Sequence, residues 1–452
     1  MTVDRKAAPA SKPNHATGAA HKSGGSVRWT AFLALGVAAL SFSQGVSAQD
    51  ELLVLGNATH IQTLRALGPA EGGVDVLAPM EAALNAKVVI SETTNQALQE
   101  ALQRLGPLSN VNEDIVFVHQ YDTNTRLADF LEPLDSYLEA KPIDSFPDDW
   151  APGIAAASVI DGKRYTVPFR CGALTMWYNA ALFDELGING PPATPDDLYE
   201  IAKKGTFVRD GEQIFGVAFR GDRFDITEDV AILARMFGGE IVTMDGTVTV
   251  NQPPAVAAVE LLKKLYAENL MPSNWSSLNQ AGINELFKQG RIALTLGGGN
   301  FMKTFNDGES PVSGHAVPAH WPLAAELQTP EKPYSDGTAF HWGVGILKGS
   351  TAKELAAEFI RAVSAPAAVH EIAVNGSGPC MAGELATQAA TDPGIAIAAD
   401  ILAVSRGPLL AHPNINQIRD TLGETVQNIV VNNLEVQPEL DALATRLERL
   451  YR

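Results

Sequence analysis

The sequence predicts an α/β fold built from two domains, and three observations carry that expectation. Strand-like and helix-like segments alternate from residue 51 onward, as they do when helices are layered on a sheet. The chain has 452 residues, well beyond the roughly 100–200 of one domain. Its hydrophobic content of 46% supports a large core.

The first 48 residues stand apart. Arg5, Lys6, Lys12, Lys22 and Arg28 precede an apolar run, "WTAFLALGVAALSF" (29–42), and the small residues Val46, Ser47 and Ala48 follow it. A basic stretch, an apolar run of about 7–15 residues and a small-residue site make a secretory signal. The run falls short of the roughly 20 apolar residues that a membrane span needs. Residues 1–48 are therefore expected to be a cleaved signal peptide, and the mature protein to work in the periplasm. Removing them leaves 28 Lys+Arg against 51 Asp+Glu, a net charge of −23. So anionic a chain repels nucleic acid, and no nucleic-acid partner is expected.

The elements follow in order. "ELLVLGNA" (51–58) reads as a first strand, and "DVLAPMEAALNAKVVISET" as a helix leading to a strand at Lys87–Ile90. "NQALQEALQRLG" (95–106) has apolar residues at helical spacing and a glycine stop. "EDIVFVHQYD" (113–122) is a strand running into polar residues, and "TRLADFLEPLDSYLE" returns to helix. A hairpin and strand follow at 161–169, then a short helix at 180–188. A second helix at 191–204 has Thr194 as N-cap, Pro195 in the first helical position and two Asp in the first turn. Residues 214–221 are strand-like, 228–240 helical, and Asp245-Gly246 marks a hairpin turn before a long amphipathic helix. "INELFKQGRIALTLGGGN" is helix, turn, strand and glycine loop; "TAFHWGVGILKGS" and "TAKELAAEFIRAVSA" add a strand and a helix, and the tail is helical.

The motif inventory contains no enzyme. G-x-S-x-G, H-E-x-x-H, a Walker loop and a G-x-G-x-x-G after a strand are all missing. "TLGGGN" (295–300) needs its glycines only for a close turn, and the spacing of His315, His320 and His341 fits no zinc pattern. "RGDRFDITED" (220–229) reads either as a loop with an acidic helix start or as a carboxylate edge on a pocket. Neither a metal nor a cofactor is expected. Cys171 and Cys380 read either as a disulfide, given an oxidising compartment, or as two separate buried thiols.

Binding is better supported. Asn57, Gln120, Tyr121, Asp122, Arg170, Phe224, Asn300, Phe340, His341 and Trp342 lie where expected strands stop, the end of an α/β sheet at which ligands bind. Aromatic faces for C–H patches, with amide, carboxylate and guanidinium groups for hydroxyls, are the chemistry of sugar recognition.

The segment "DGKRYTVPFRCGALTMWYNAALFDELGINGPPATPDDLYEIAKK" (161–204) resembles the family 1 extracellular solute-binding proteins of ABC importers, the group that includes maltose-binding protein. Residues 237–272, "ELFKQGRIALTLGGGNFM" (285–302) and "TAFHWGVGILKGSTAKELAAEFI" (338–360) continue the resemblance in order and spacing over almost all of the mature chain. It implies a type II periplasmic-binding-protein fold: two α/β lobes, a hinge and a central ligand cleft. Lobe one would be 50–166 plus 317–364 and lobe two 167–316 plus 365–452, with crossings near 165–170, 312–318 and 362–367. Gln120, Tyr121 and Asp122 match a first-lobe contact loop, Arg170 and Gly172 the hinge strand, and Phe224 and Asp225 fall near a second-lobe contact segment. Asn300 stands where many members have a stacking tryptophan, and "Phe-His-Trp" at 340–342 replaces a Gly-Gly-Trp. Tyr178-Asn179 matches a structural lead into the next helix. If the cysteines pair, Cys171 joins Cys380, whose "NGSGPC" context is expected to be a lobe-two loop.

The resemblance implies a monomer that captures a solute and docks on a membrane permease. A small carbohydrate or polyol is the leading ligand. The alternatives are a polyamine, a sugar acid held by Arg170 and Arg220, or, from another class, a periplasmic enzyme or chemoreceptor accessory protein.

Overall fold

Thirteen residues of strand, Val167–Asn179, carry the chain from one hydrophobic core to another. The computed structural model describes residues 50–67, 73–150 and 152–452; the expected signal peptide, 1–48, lies outside them. The strands are β1 (Asp50–Asn57), β2 (Ala86–Thr93), β3 (Ile115–His119), β4 (Val159–Ile160), β5 (Lys163–Arg164), β6 (Val167–Asn179), β7 (Phe207–Arg209), β8 (Glu212–Ala218), β9 (Ile292–Gly298), β10 (Ala316–Ala319) and β11 (Thr338–Ile346). Nine of them form one sheet in the order β2-β1-β3-β11-β6-β9-β8-β7, with β10 also on β6. β1 runs parallel to β2 and β3, and β8 parallel to β9, whereas β11 is antiparallel to both β3 and β6.

The sequence explains these choices. All five residues of β3 and all seven of β9 are buried, the continuous pattern of strands covered by helices on both faces. Leu52, Val54, Phe117, Val344, Ile346 and Phe359 belong to the first core. Trp177, Val217, Leu294 and Leu296 belong to the second, which the helices Ile226–Met236, Pro253–Ala267 and Ile415–Val431 cover. Strand β6 supplies Val167, Phe169 and Cys171 to the first and Ala173, Leu174, Met176 and Trp177 to the second. Phe340 of β11 packs against both.

Local signals hold at the helix ends. Thr194 and Asp197 form a capping box on the helix Pro195–Lys204, whose last turn carries Lys203 and Lys204. Asn179 caps the helix Ala180–Leu186 by accepting from the Leu182 amide at 3.2 Å. Elsewhere the sequence reading is corrected. The helix expected over "TRLADFLEPLDSYLE" is two short ones, Leu127–Phe130 and Asp135–Ala140. Pro133 has no N–H and disfavours helix at the residue before it, so Leu131 instead bridges Leu347. The Asp245-Gly246 turn forms, with Gly246 at φ 85°, but its hairpin is one isolated bridge, Val242 to Val248.

Cys171 and Cys380 are joined in a disulfide. Cys380 packs with the first core together with Val369, Ile372 and Met381, rather than in a second-core loop. The cause is local. The Asn375 carboxamide donates to the carbonyls of Thr63 (2.7 Å) and Val74 (2.8 Å) and accepts from the Val74 amide. The Cys171 amide donates to Gly378 O at 2.9 Å. Gly378 must be glycine, since a Cβ there would sit 1.9 Å from Cys171 O.

The bridge closes a loop of 209 residues. The double variant Cys171→Ala/Cys380→Ala should lose about 2–4 kcal/mol of stability in urea denaturation, and reducing agent should move the wild type, but not the variant, toward that value.

Candidate functional site

Register brings three chemically different side chains into one row. Trp342 of β11 is paired on one side with His119, the last residue of β3, and on the other with Arg170 of β6. Directly opposed residues of antiparallel strands share a face, and the His119 and Trp342 rings indeed meet edge to face at 4.8 Å. His60, from the helix Ala58–Arg65, closes the row, stacking on Phe117 at 4.0 Å and meeting Trp342 at 5.1 Å. Its Nδ1 accepts from the Asn57 amide at 3.2 Å, which places the imidazole proton on Nε2.

Beyond β3 the chain turns through a 3-10 segment, Gln120–Asp122. The Tyr121 ring lies under the Arg419 guanidinium at 4.8 Å, and Phe224 lies on that guanidinium at 3.8 Å. Arg419 comes from the helix Ile415–Val431 and also donates from Nη2 to the Phe224 carbonyl. Gln120 accepts from the His341 amide at 3.2 Å and lies against Gly407, where a Cβ would come within 2.4 Å of Nε2. The 405–407 loop is held by Arg235, which donates to Ser405 Oγ and Arg406 O.

Many polar atoms of this region lack partners. His60 Nε2, His119 Nδ1, Asp122 Oδ1, Arg170 Nε and Arg419 Nε and Nη1 are buried without a hydrogen bond among the described residues. The Gln120 amide influences the Tyr121 hydroxyl without reaching hydrogen-bond geometry, and neither Nε2 nor the hydroxyl is otherwise bonded. Buried polar groups are normally paired, so such a concentration is the mark of a place built for a ligand. The open surface concavity beside Pro191, Pro192, Lys203 and Lys204, of about 700 Å³, is different: it has no unpaired buried polar atom on its wall.

Burial sets the protonation states. It pushes His60 and His119 well below the usual histidine value, with Arg170 adding to the effect on both, and takes His341 down to about 4. All three are neutral at pH 7. Burial lowers Arg170 to about 10, which leaves it charged. It raises Asp122 to about 6, although Gln99 donates to that carboxylate at 2.8 Å.

Residues 58–370 match the family of bacterial extracellular solute-binding proteins. The chain belongs to that family. A binding protein of Brucella abortus is 32% identical over 167 residues, which are 36% of this chain and 39% of that one. The chain thus matches about two fifths of that relative's length. The diacetylchitobiose binding protein of Streptomyces coelicolor is 26% identical over 221 residues, 47% of this chain and 48% of that one. Among solved structures, a ribitol complex of an ABC transporter solute-binding protein from Agrobacterium radiobacter superposes with a TM-score of 0.76, at 19% identity, over 90% of this chain and 100% of that one. Maltose-bound MalE3 of T. maritima gives 0.73, at 19% identity, over 88% and 99%. The fold is the type II periplasmic-binding-protein fold.

In this solute-binding protein the expected site residues divide. Gln120, Tyr121, Asp122, Arg170, Phe224, His341 and Trp342 come together around the unpaired atoms. Three others have structural employment. Asn57 is an N-cap, accepting from the His60 amide and donating to Asn95 Oδ1 at 2.8 Å. Asn300 donates to Gly376 O at 2.6 Å and so holds the loop before Cys380. Asp225 accepts from the Gln280 amide and lies 3.5 Å from Arg220. Arg220 itself is enclosed by Asp225, Glu228 and Asp229, at 2.5 Å from Asp229. Its burial disfavours the charge, yet these carboxylates hold it protonated. The acidic run 220–229 is therefore an internal ion cluster. Sequence reasoning missed His60, His119 and Arg419. Among the described residues no group of three His, Cys, Asp or Glu side chains could hold a metal ion.

Two outcomes follow from these roles. Asn57→Ala should lower stability by about 1 kcal/mol in thermal or urea unfolding through the lost cap, while ligand affinity stays within a factor of about two. Between the ordinary 3.8 and about 6 the folded chain keeps a proton on Asp122 that the unfolded chain has released, so this group makes stability fall as pH rises through that window. The lowered histidines act in the opposite sense, so the comparison is with Asp122→Asn. Relative to wild type, the variant should gain up to about 3 kcal/mol between about pH 4 and pH 7, read from urea curves across that range.

Proposed function

We propose that this chain is the periplasmic solute-binding component of an ABC importer, which captures a small carbohydrate or polyol between its lobes and delivers it to a membrane permease. The observation that carries the reading is the set of buried, unpaired polar atoms on His60, His119, Asp122, Arg170 and Arg419, interleaved with Tyr121, Phe224 and Trp342. Rings for C–H faces beside fixed donors suit a polyhydroxylated ligand. The ligands printed for the relatives, diacetylchitobiose, ribitol and maltose, support the same class.

We take the expected lobes, 50–166 plus 317–364 and 167–316 plus 365–452, with two shifts. Ala319 and Trp321 pack with the second core, so the second crossing is placed after Trp321. Val369, Ile372 and Met381 pack with the first, so the last is placed after Met381. β6 and β11 form the hinge, and the lobes close on the ligand by bending there. The protein acts as a monomer after loss of residues 1–48, and it binds without turning its ligand over.

Thermal-shift screening against neutral sugars, polyols, sugar acids and polyamines tests this. A bound sugar, polyol or sugar acid at about 100 times its Kd should raise the melting temperature by about 3 °C. A shift produced by polyamines alone would reject the carbohydrate class, and turnover of a screened compound would reject a purely binding role.

A further inference from the structure

The charges and hydrogen-bonding roles around this site are unequal, and the inequality points to one kind of solute. Among the described residues Arg170 has no ion-pair partner, with only the Phe340 ring at 5.3 Å, although its relative exposure is 9%. Burial lowers its pKa, with no carboxylate raising it in return. Arg419 also forms no ion pair among the described residues; it spends Nη2 on the Phe224 carbonyl and leaves Nε and Nη1 free. Of the nearby carboxylates, Asp225, Glu228 and Asp229 enclose Arg220, and Asp122 accepts from Gln99. Asp122 and Glu228 also act on Arg419 from beyond ion-pair distance, so Arg170 is the cation of the site without a counter-charge.

The unpaired atoms show the same bias. His60 Nε2, Arg170 Nε, and Arg419 Nε and Nη1 can only donate, whereas Asp122 Oδ1 is the one unpaired atom of the set that can only accept when ionised. The hydroxyls of a neutral polyol can accept from these donors, but each also brings a proton for which few acceptors stand here, and none brings a charge to offset Arg170. A carboxylate only accepts, carries the missing negative charge, and fits the planar fork of a guanidinium with two parallel bonds.

We infer that the solute is a small polyhydroxy acid whose carboxylate pairs with Arg170 while its hydroxylated body lies among Trp342, Tyr121 and Phe224. The inference rests on the reading of this region as the solute site. Arg220, the other arginine considered for a sugar acid, is already neutralised by its three carboxylates.

Isothermal titration with matched pairs tests it: glucuronate against glucose and galacturonate against galactose for cyclic acids, and gluconate against sorbitol for the open chain. At least one acid should bind about 100-fold or more tightly than its neutral partner, the scale of a desolvated charge pair. Arg170→Met should erase that preference, and Arg170→Lys should keep part of it. Because an unpaired buried cation destabilises the empty protein, the unliganded Met variant should melt at or above the wild-type temperature. Whichever pair shows the preference distinguishes cyclic from open-chain acids. Neutral sugars binding as tightly as their acids would overturn the inference and leave the carbohydrate reading intact. An acid preference unchanged in Arg170→Met would overturn the role of Arg170. Binding of polyamines only, or of none of these compounds, would overturn both readings.

Discussion

The insertion of β11 between β3 and β6, antiparallel to both, is the constraint from which the rest of the architecture follows. It joins the parallel strands of the first core to the long strand that enters the second. It also sets the row His119, Trp342, Arg170, so the same backbone hydrogen bonds that hold the sheet together align the site. A one-residue slip would turn Trp342 to the opposite face and separate it from both neighbours. The β-bulge between Trp342 and Gly343 lies at this point of the register. The bridge from Cys171 to Cys380 fixes the residue next to Arg170 to a second segment of chain. Arg170 is thereby held in an apolar setting by covalent and sheet geometry instead of by a counter-charge.

Much of the fold was legible because its signals are local. The apolar runs of β1, β3 and β9 and the Thr194 cap announce themselves within a few residues. The departures arise where tertiary partners decide. Leu131 leaves a helical pattern for a bridge to Leu347, and the helix Pro366–Val374 is drawn to the first core through Asn375 and its bonds to Thr63 and Val74. Neither partner is near in sequence.

The proposed site draws on the strand ends whose polar residues the sequence singles out, Gln120–Asp122 and Arg170. Asn57, Asn300 and Asp225 carry structural bonds as well, because a carboxamide or carboxylate at a strand end also serves as a cap, a loop tie or an ion-pair partner. His60 and Arg419 lie inside amphipathic helices, where a polar residue usually faces water. Only the stacking of His60 on Phe117, and of Arg419 between Tyr121 and Phe224, removes them from solvent. His119 could have been found, since it precedes the expected contact loop by one residue and ends a strand that is apolar up to that point.

The order of the chain has a consequence for when folding can finish. The first core takes β1, β2 and β3 from the beginning of the described chain, but it also needs β11 and the segment through Met381. A ribosome or an export channel releasing this chain from its N-terminus therefore delivers a half-built sheet with an open edge at β3. That edge stays exposed until more than two hundred further residues have emerged. The early segments cannot lock prematurely, and the finished sheet forms only once nearly the whole protein has been delivered to one compartment.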